Sequence, residues 1–259
     1  MGIETESITE KFGLNLAIVE QNKLRKALVM AGGFGSRMKE LTKKTPKPML
    51  QLRGAPILDY SIELCRLHGI DEISISIFYH GEQIKQHYND GSRHGIKISY
   101  VEEPEPLGTA GALKLHKKWL DEPFMMCNAD ELKDIDLHDM FRQHVQTGAA
   151  ATIALTQVED PSQYGVVEME GDKITRFVEK PQKGDAPSNL INAGLYIINP
   201  EVIGIIPPGF CMMEKEIFPK LAEQGKLYGF IFSGQWFDTG TPERLLYAER
   251  FWRGFSRKS

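Results

Sequence analysis

Residues 27–50 read ALVMAGGFGSRMKELTKKTPKPML, an apolar strand that runs into a glycine turn and then offers two cations, Arg37 and Lys47. Gly32, Gly33 and Gly35, with Ala31 and Ser36 in the same turn, let the backbone take φ > 0 and bring bare N–H groups close to a ligand, as a nest for phosphate oxygens requires. Arg37 and Lys47 can then serve as charge-assisted donors. Prolines on both sides of Lys47, in the TPKP of residues 45–48, fix its backbone and present its ammonium from a stiff loop.

Spacing separates this turn from two better-known phosphate loops. A Walker A loop needs Gly-Lys followed by Ser or Thr, whereas Gly35 leads to Ser36 and Arg37. A dinucleotide fingerprint needs GxGxxG, and Met38 stands where its third glycine would be. GGxG alone is also what an ordinary strand-to-helix turn contains. The downstream TPKP is what favours a site.

Outward from the turn, strand and helix patterns alternate. Strands are predicted at 28–31, 72–78, 96–101, 123–127 and 151–158, with helices at 57–67, 82–88, 109–120 and 136–146. That order predicts an α/β fold with a Rossmann-like, mostly parallel sheet, helices on both faces and ligands at the carboxyl ends of the strands. From Tyr164 the pieces are shorter, at 166–169, 173–178 and 190–198, before helices at 214–224 and 242–255. We expect an N-terminal extension, 1–25, and one domain, 26–259, in two halves, about 26–148 and 149–259, that share one continuous sheet. No internal repeat is visible, and no C-terminal β-helix is expected.

The chain has 259 residues, 41% hydrophobic and 25% charged, with a formal net charge of -4. Those values suit a globular enzyme and argue against a general nucleic-acid-binding role, because no basic block offsets the acidic balance. Cys65, Cys127 and Cys211 are widely spaced and odd in number, which suits packing residues in a reducing compartment. The first residues lack the apolar run of a signal peptide, and no segment approaches a membrane span. We therefore expect a cytoplasmic protein with no membrane partner, and a homo-oligomer is left open.

Several further motifs follow in order: EPLGTAGAL, PSQYGVV, FVEKP, INAGLYII, EKEIFPKLAEQGKLYGF and WFDTGTPE. With GGFGSR and TPKPML they make the chain resemble the sugar-1-phosphate nucleotidyltransferases (NDP-sugar pyrophosphorylases) from Lys26 to about Glu243. Within that family the set is most similar to the branch that transfers GMP to mannose 1-phosphate. The resemblance implies attack of a sugar 1-phosphate oxygen on the α-phosphorus of a nucleoside triphosphate, with pyrophosphate leaving. Such chemistry needs positioning and charge neutralisation, and no general base, since the attacking phosphate is largely dianionic at neutral pH.

The resemblance assigns roles residue by residue. Arg37 would brace the triphosphate, Lys47 would bridge nucleotide and incoming phosphate, and Lys180 in FVEKP would hold the sugar phosphate. Asp130, closing FMMCNAD, and Asp238, in WFDTG, resemble the family's two metal-binding carboxylates, and Mg2+ suits a few carboxylates plus phosphate oxygens and water. Ala129 stands where Gly or Ser is common. The alternatives are that Asp238 caps a helix and that Asp134 or Asp136 replaces Asp130. The nucleobase would lie against residues 102–111, with close backbone approach at Gly108 and helix N–H groups from Thr109 onward. A carboxylate at Glu103 could accept both the N1–H and the N2 donors of guanine, which favours GTP over a uracil or thymine nucleotide. For the sugar, the resemblance transfers roles to Gly165, Glu179, Asn192 and Gly194, and Trp236 could form an apolar wall; Asn192 and Trp236 could equally be satisfied core residues. Mannose rests on the similarity alone. The other readings are a glucose 1-phosphate uridylyl- or thymidylyltransferase, a heptose 1-phosphate guanylyltransferase and a catalytically silent nucleotide-sugar sensor.

Overall fold

The computed structural model describes residues 23–256. Apart from Lys23, Leu24 and Arg25, the expected N-terminal extension lies outside the described residues. The first strand, β1 (Lys26–Met30), leads through the glycine turn into a 3-10 turn, Ser36–Thr42, and a short hairpin, β2 (Gln51–Leu52) and β3 (Ala55–Pro56). Then come α1 (Ile57–Leu67), β4 (Glu72–Ile77), α2 (Gly81–Tyr88), β5 (Lys97–Glu102), α3 (Gly108–Gly111), β6 (Phe124–Asn128), β7 (Glu131–Lys133) and α4 (Leu137–Thr147). The second half holds β8 (Ala151–Gln157), β9 (Gly165–Glu170), β10 (Lys173–Glu179), β11 (Leu190–Ile198), a π-helical turn (Met213–Ile217), α5 (Phe218–Glu223), β12 (Leu227–Ile231), β13 (Trp236–Asp238) and α6 (Pro242–Phe251).

Nine strands form one sheet in the order β5-β4-β1-β6-β11-β8-β12-β10-β9. Pairing is parallel from β5 through β6. Beyond β6 it becomes mixed, because β11 runs antiparallel to both β6 and β8, while β12 and β8 are parallel. The expected parallel sheet is therefore its first half. The chain leaves β1 toward β4 and β5 and returns to β6 on the other side of β1, so the order reverses between β1 and β6. Open α/β sheets form their ligand crevice at such a switch point.

Alternation along the strands divides the core between two faces. Ala27 and Val29 of β1, with Met125 and Cys127 of β6, pack against Leu58, Ile62 and Cys65 of α1 and Met140 of α4. Leu28, Phe124 and Met126 face the other way, onto Tyr196, Phe218 and Leu221. The three cysteines are buried and free, as expected of packing residues. Burial pushes the Cys65 and Cys127 thiols up, Cys127 to about 11.

Several segments differ from the sequence prediction, among them β12, which no predicted strand covers, and the helix expected at 214–224, whose first turn is π-helical. The helix expected at 109–120 is one α-helical turn followed by a 3-10 run, Ala112–His116. Gly108 and Gly111 are poor helix formers, and the Ala110 and Gly111 N–H groups both donate to the Cys211 carbonyl, at 2.9 and 3.1 Å. The helix expected at 242–255 stops at Phe251, where Trp252 turns into a small cluster with Leu52, Ile57 and Leu132. The short strands β7 and β13, absent from the sequence reading, pair antiparallel with Asp238 opposite Glu131.

Candidate active site

A cleft of about 500 Å³ opens at the carboxyl ends of β1 and β6. Ala31, Gly32, Gly33, Gly35, Ser36 and Arg37 line it from the glycine turn, and Asp130 and Glu131 from the end of β6. Gly35 has φ 62 and sits 3.2 Å from Lys47 measured to the Cβ it lacks, so the turn closes tightly over that lysine. Lys47 is buried, at 5% exposure, and its ammonium pairs with Asp130 Oδ2 at 2.5 Å. A buried ammonium needs such a partner, and an anionic ligand beside it could share the charge.

Asp130 and Asp238 are brought together by the β7–β13 pairing, since the Thr239 hydroxyl donates to the Asp130 carbonyl at 2.7 Å. Both carboxylates line the cleft. Burial acts to raise the Asp130 carboxyl, but Lys47, with Lys133 and Arg37, more than offsets that and holds it below its ordinary range. Glu131 goes the other way: burial, only partly countered by Lys133, and the neighbouring Asp130 and Asp238 charges push it up to about 7. Arg37 approaches the same charges, its Nη2 lying 3.1 Å from the Cβ position of Gly240 while Asp238 Oδ1 lies 2.7 Å from it.

The competing readings of these acids lose their basis here. The cap of α6 is Thr241, whose hydroxyl accepts from the Arg244 N–H, while Asp238 accepts from the Gly240 N–H and pairs with Arg244. Asp136 caps α4, and Asp134 accepts from Ser256. Neither lines the cleft. Among the described residues no three His, Cys, Asp or Glu side chains form a cation cage. Two cleft-lining carboxylates are nonetheless a donor set that fits Mg2+, which takes its other ligands from phosphate and water.

Glu103 is buried yet lines the cleft beside Gly32. Its Oε1 accepts from the Ser76 hydroxyl at 3.0 Å and its Oε2 from the Leu107 N–H at 3.1 Å, which pins the carboxylate and the loop that follows it. Gly108 and Thr109 also line the cleft. The expectation that the helix N–H groups from Thr109 onward meet the ligand needs correction, because the Ala110 and Gly111 N–H groups are taken by Cys211. The Thr109 hydroxyl is likewise engaged, donating to Glu214 Oε2 at 2.7 Å and accepting from the Met213 N–H at 2.9 Å.

At the opposite end stand Gly165, Glu179, Lys180, Asn192 and Gly194. Lys180 has φ 49 although it precedes Pro181, a position that normally favours extended backbone. Strain of this kind persists where the surroundings over-determine a residue, and it aims functional groups. Its ammonium pairs with Glu179 Oε1 at 3.0 Å and remains exposed. The Asn192 amide is largely spent within the protein: Oδ1 accepts from the Gly194 N–H and Nδ2 donates to the Tyr196 hydroxyl, both at 2.9 Å. Gly194 is required, since at φ 61 a Cβ would stand 2.5 Å from Glu131 Oε1. Trp236 is not among the residues that line the cleft. Its indole N–H donates to Glu131 Oε2 at 3.2 Å and its ring meets Tyr164 edge-on at 5.4 Å, one layer behind. Glu131 and Glu214 are cleft residues that the sequence reading missed. The signal for Glu131 was its place next to Asp130; Glu214 had only its motif.

A switch-point cleft with a glycine turn, paired acids and several cations has the make-up of a phosphoryl- or nucleotidyl-transfer site. The chain belongs to the Nucleotidyl transferase family, which matches residues 26–253. It is 42% identical over 227 residues, 85% of this chain, to the mannose-1-phosphate guanylyltransferase catalytic subunit beta of Danio rerio. The match covers 62% of that relative, so the chain spans less than two thirds of its length. HddC from Yersinia pseudotuberculosis, solved in complex with GMP-PN, superposes with a TM-score of 0.76 at 26% identity, covering 89% of this chain and all of that one. A UDP-glucose pyrophosphorylase complexed with UDP-glucose shares the fold, with a TM-score of 0.77 at 24% identity over 88% of this chain and 98% of that one.

Proposed function

We propose that the chain transfers a guanylyl group from GTP to mannose 1-phosphate, giving GDP-mannose and pyrophosphate. The observation that carries this reading is the convergence of Arg37, Lys47, Lys180, Asp130 and Asp238 on one cleft beside the glycine turn. A silent sensor has no chemical need of all five. GTP and mannose 1-phosphate are favoured by the name of the 42% identical relative, and GTP also by the buried carboxylate of Glu103.

The nucleotide occupies the half built from residues 26–148, and the sugar the half from 149–259. An oxygen of the sugar phosphate forms a bond to the α-phosphorus as the bond from that phosphorus to the β-bridging oxygen breaks, and the electron pair leaves on pyrophosphate. Arg37 neutralises charge growing on the leaving group. Lys47, at the floor of the cleft, and Lys180, at its exposed end, orient the two phosphates in line. Asp130 and Asp238 would hold Mg2+, which supplies Lewis-acid neutralisation of phosphate oxygens when bound. No described helix is long and apolar enough to cross a membrane, and we read the working compartment as the cytoplasm.

The test is a matrix of GTP, ATP, UTP and dTTP against mannose, glucose and heptose 1-phosphates with Mg2+, read as pyrophosphate release. GTP with mannose 1-phosphate should be fastest. A different leading pair would reassign the substrates. Binding without turnover across the whole matrix would leave a sensor.

A further inference from the structure

Glu214 lines the cleft, is 8% exposed and has no part in the chemistry outlined above. It sits in the π-helical turn Met213–Ile217, a rare conformation that recurs at functional sites. Burial holds its carboxyl above the ordinary range, and the Thr109 bond works against that. Two arms end on it. From the nucleotide side the Thr109 hydroxyl donates to Oε2 at 2.7 Å, with the Met213 N–H donating to that hydroxyl. From the sugar side Asn192 Nδ2 donates to the Tyr196 hydroxyl at 2.9 Å, and that hydroxyl donates to Oε1 at 3.5 Å. Every proton in both arms points toward the carboxylate. A carboxylate accepts from both hydroxyls at once, which an amide in its place could match only if one of the hydroxyls reversed its bond.

We infer that Glu214 is a positioning residue that couples the two substrate subsites, so that a nucleotide seated on the Gly108–Thr109 loop orders Asn192 and Gly194 for the sugar phosphate. The inference rests on the substrate reading above. A nucleotide that fixes Thr109 fixes one oxygen of Glu214, and the carboxylate is planar and rigid. The other oxygen then fixes Tyr196, and through it Asn192, whose Oδ1 holds the Gly194 N–H. Tyr196 is fully buried and in ring contact with Phe218 at 5.0 Å, so the sugar-side arm has little freedom of its own.

The experiment measures the dissociation constant of mannose 1-phosphate by calorimetry, with and without a GTP analogue whose α–β bridge is an imido group, so that no transfer occurs. In the unaltered protein the analogue should tighten mannose 1-phosphate by about fivefold or more. Glu214→Gln and Tyr196→Phe should each bring that factor to about one while leaving the analogue's own dissociation constant within about threefold, and the double variant should be no worse than either single one. A purely structural role would lower the melting temperature and weaken both ligands alike, leaving the factor unchanged. An unchanged factor in both variants, or no coupling in the unaltered protein, overturns the inference. If mannose 1-phosphate does not bind at all, the substrate reading fails by itself, and the same measurement with the pair that leads the turnover matrix decides the coupling.

Discussion

The two ends of the cleft are built on opposite plans. At the phosphate end, Arg37, Lys47, Asp130 and Asp238 crowd together, and Glu131 is raised to about 7 by burial and the neighbouring acids. Such charges are costly unless something completes them. At the end proposed for the sugar the polar groups are mostly satisfied within the protein: Asn192 Oδ1 accepts from the Gly194 N–H and its Nδ2 donates to the Tyr196 hydroxyl. The first end is held by ion pairs, Lys47 with Asp130 and Arg244 with Asp238, whereas the second is held by neutral hydrogen bonds within the protein. Disturbing the first should stop the reaction; disturbing the second should change which molecules react, or how tightly.

The largest effect is expected at the carboxylates. Asp130→Asn and Asp238→Asn each remove one anionic ligand while preserving side-chain shape, and turnover should fall by about a hundredfold to a thousandfold. The circular dichroism spectrum should stay that of a folded protein. Near-normal rates in both variants at saturating Mg2+ would remove the metal assignment and, with it, the contrast between the two ends.

Arg37 comes next. It is exposed in the glycine turn and reaches toward Asp238 and Gly240, so its planar fork can address several phosphate oxygens. Arg37→Lys keeps the charge and loses the fork, and kcat should drop by about tenfold or more with a smaller change in KM for the triphosphate. A change in KM alone would make Arg37 a ground-state contact.

How much of this was legible in the sequence follows the same division. The phosphate end is encoded in short local runs: GGFGSR, TPKP and NAD each contribute residues already close in the chain, and α1 appeared at its predicted bounds, 57–67. Asp238 could be weighed against a helix cap but not placed. Its partner strand is three residues long and lies about a hundred positions earlier, and short pairings of that kind leave no periodic signal. The sugar end was legible as motifs only. Whether Asn192 offers its amide to a ligand or spends it on Tyr196 depends on a hydroxyl four residues away across a register shift in β11. The same reason hid Glu214, whose inward aim depends on a π-helical turn where an ordinary helix was expected.

A smaller effect should separate base reading from loop support. Glu103→Gln keeps an oxygen for the Leu107 N–H, and the Ser76 hydroxyl can rotate to accept from the new amide, so the loop should hold. A guanine donor facing that amide loses its acceptor, at a cost of about 1–3 kcal/mol. The preference for GTP over UTP or dTTP should narrow by about tenfold in competition assays. An unchanged ratio would move base selection to the backbone near Gly108.

The smallest expected change concerns Trp236, and it decides which side of the comparison that residue belongs to. A wall against the sugar would make Trp236→Phe raise KM for the sugar phosphate with little change in stability. The geometry favours a brace: the indole N–H is bonded to the half-buried carboxyl of Glu131, and the ring backs Tyr164, which itself lines the cleft. Phenylalanine keeps most of the packing and removes one of the donors to Glu131, which keeps Asn128 and Lys133, a loss of about 1 kcal/mol. The melting temperature should therefore fall by a few degrees, roughly 2–4 °C per kcal/mol for a chain of this size, while KM for the sugar phosphate stays within about threefold, because no ligand contact is removed. The opposite pattern, a large rise in KM at an unchanged melting temperature, would bring the ring back into the sugar subsite and would mean that this end of the cleft rearranges when substrate enters.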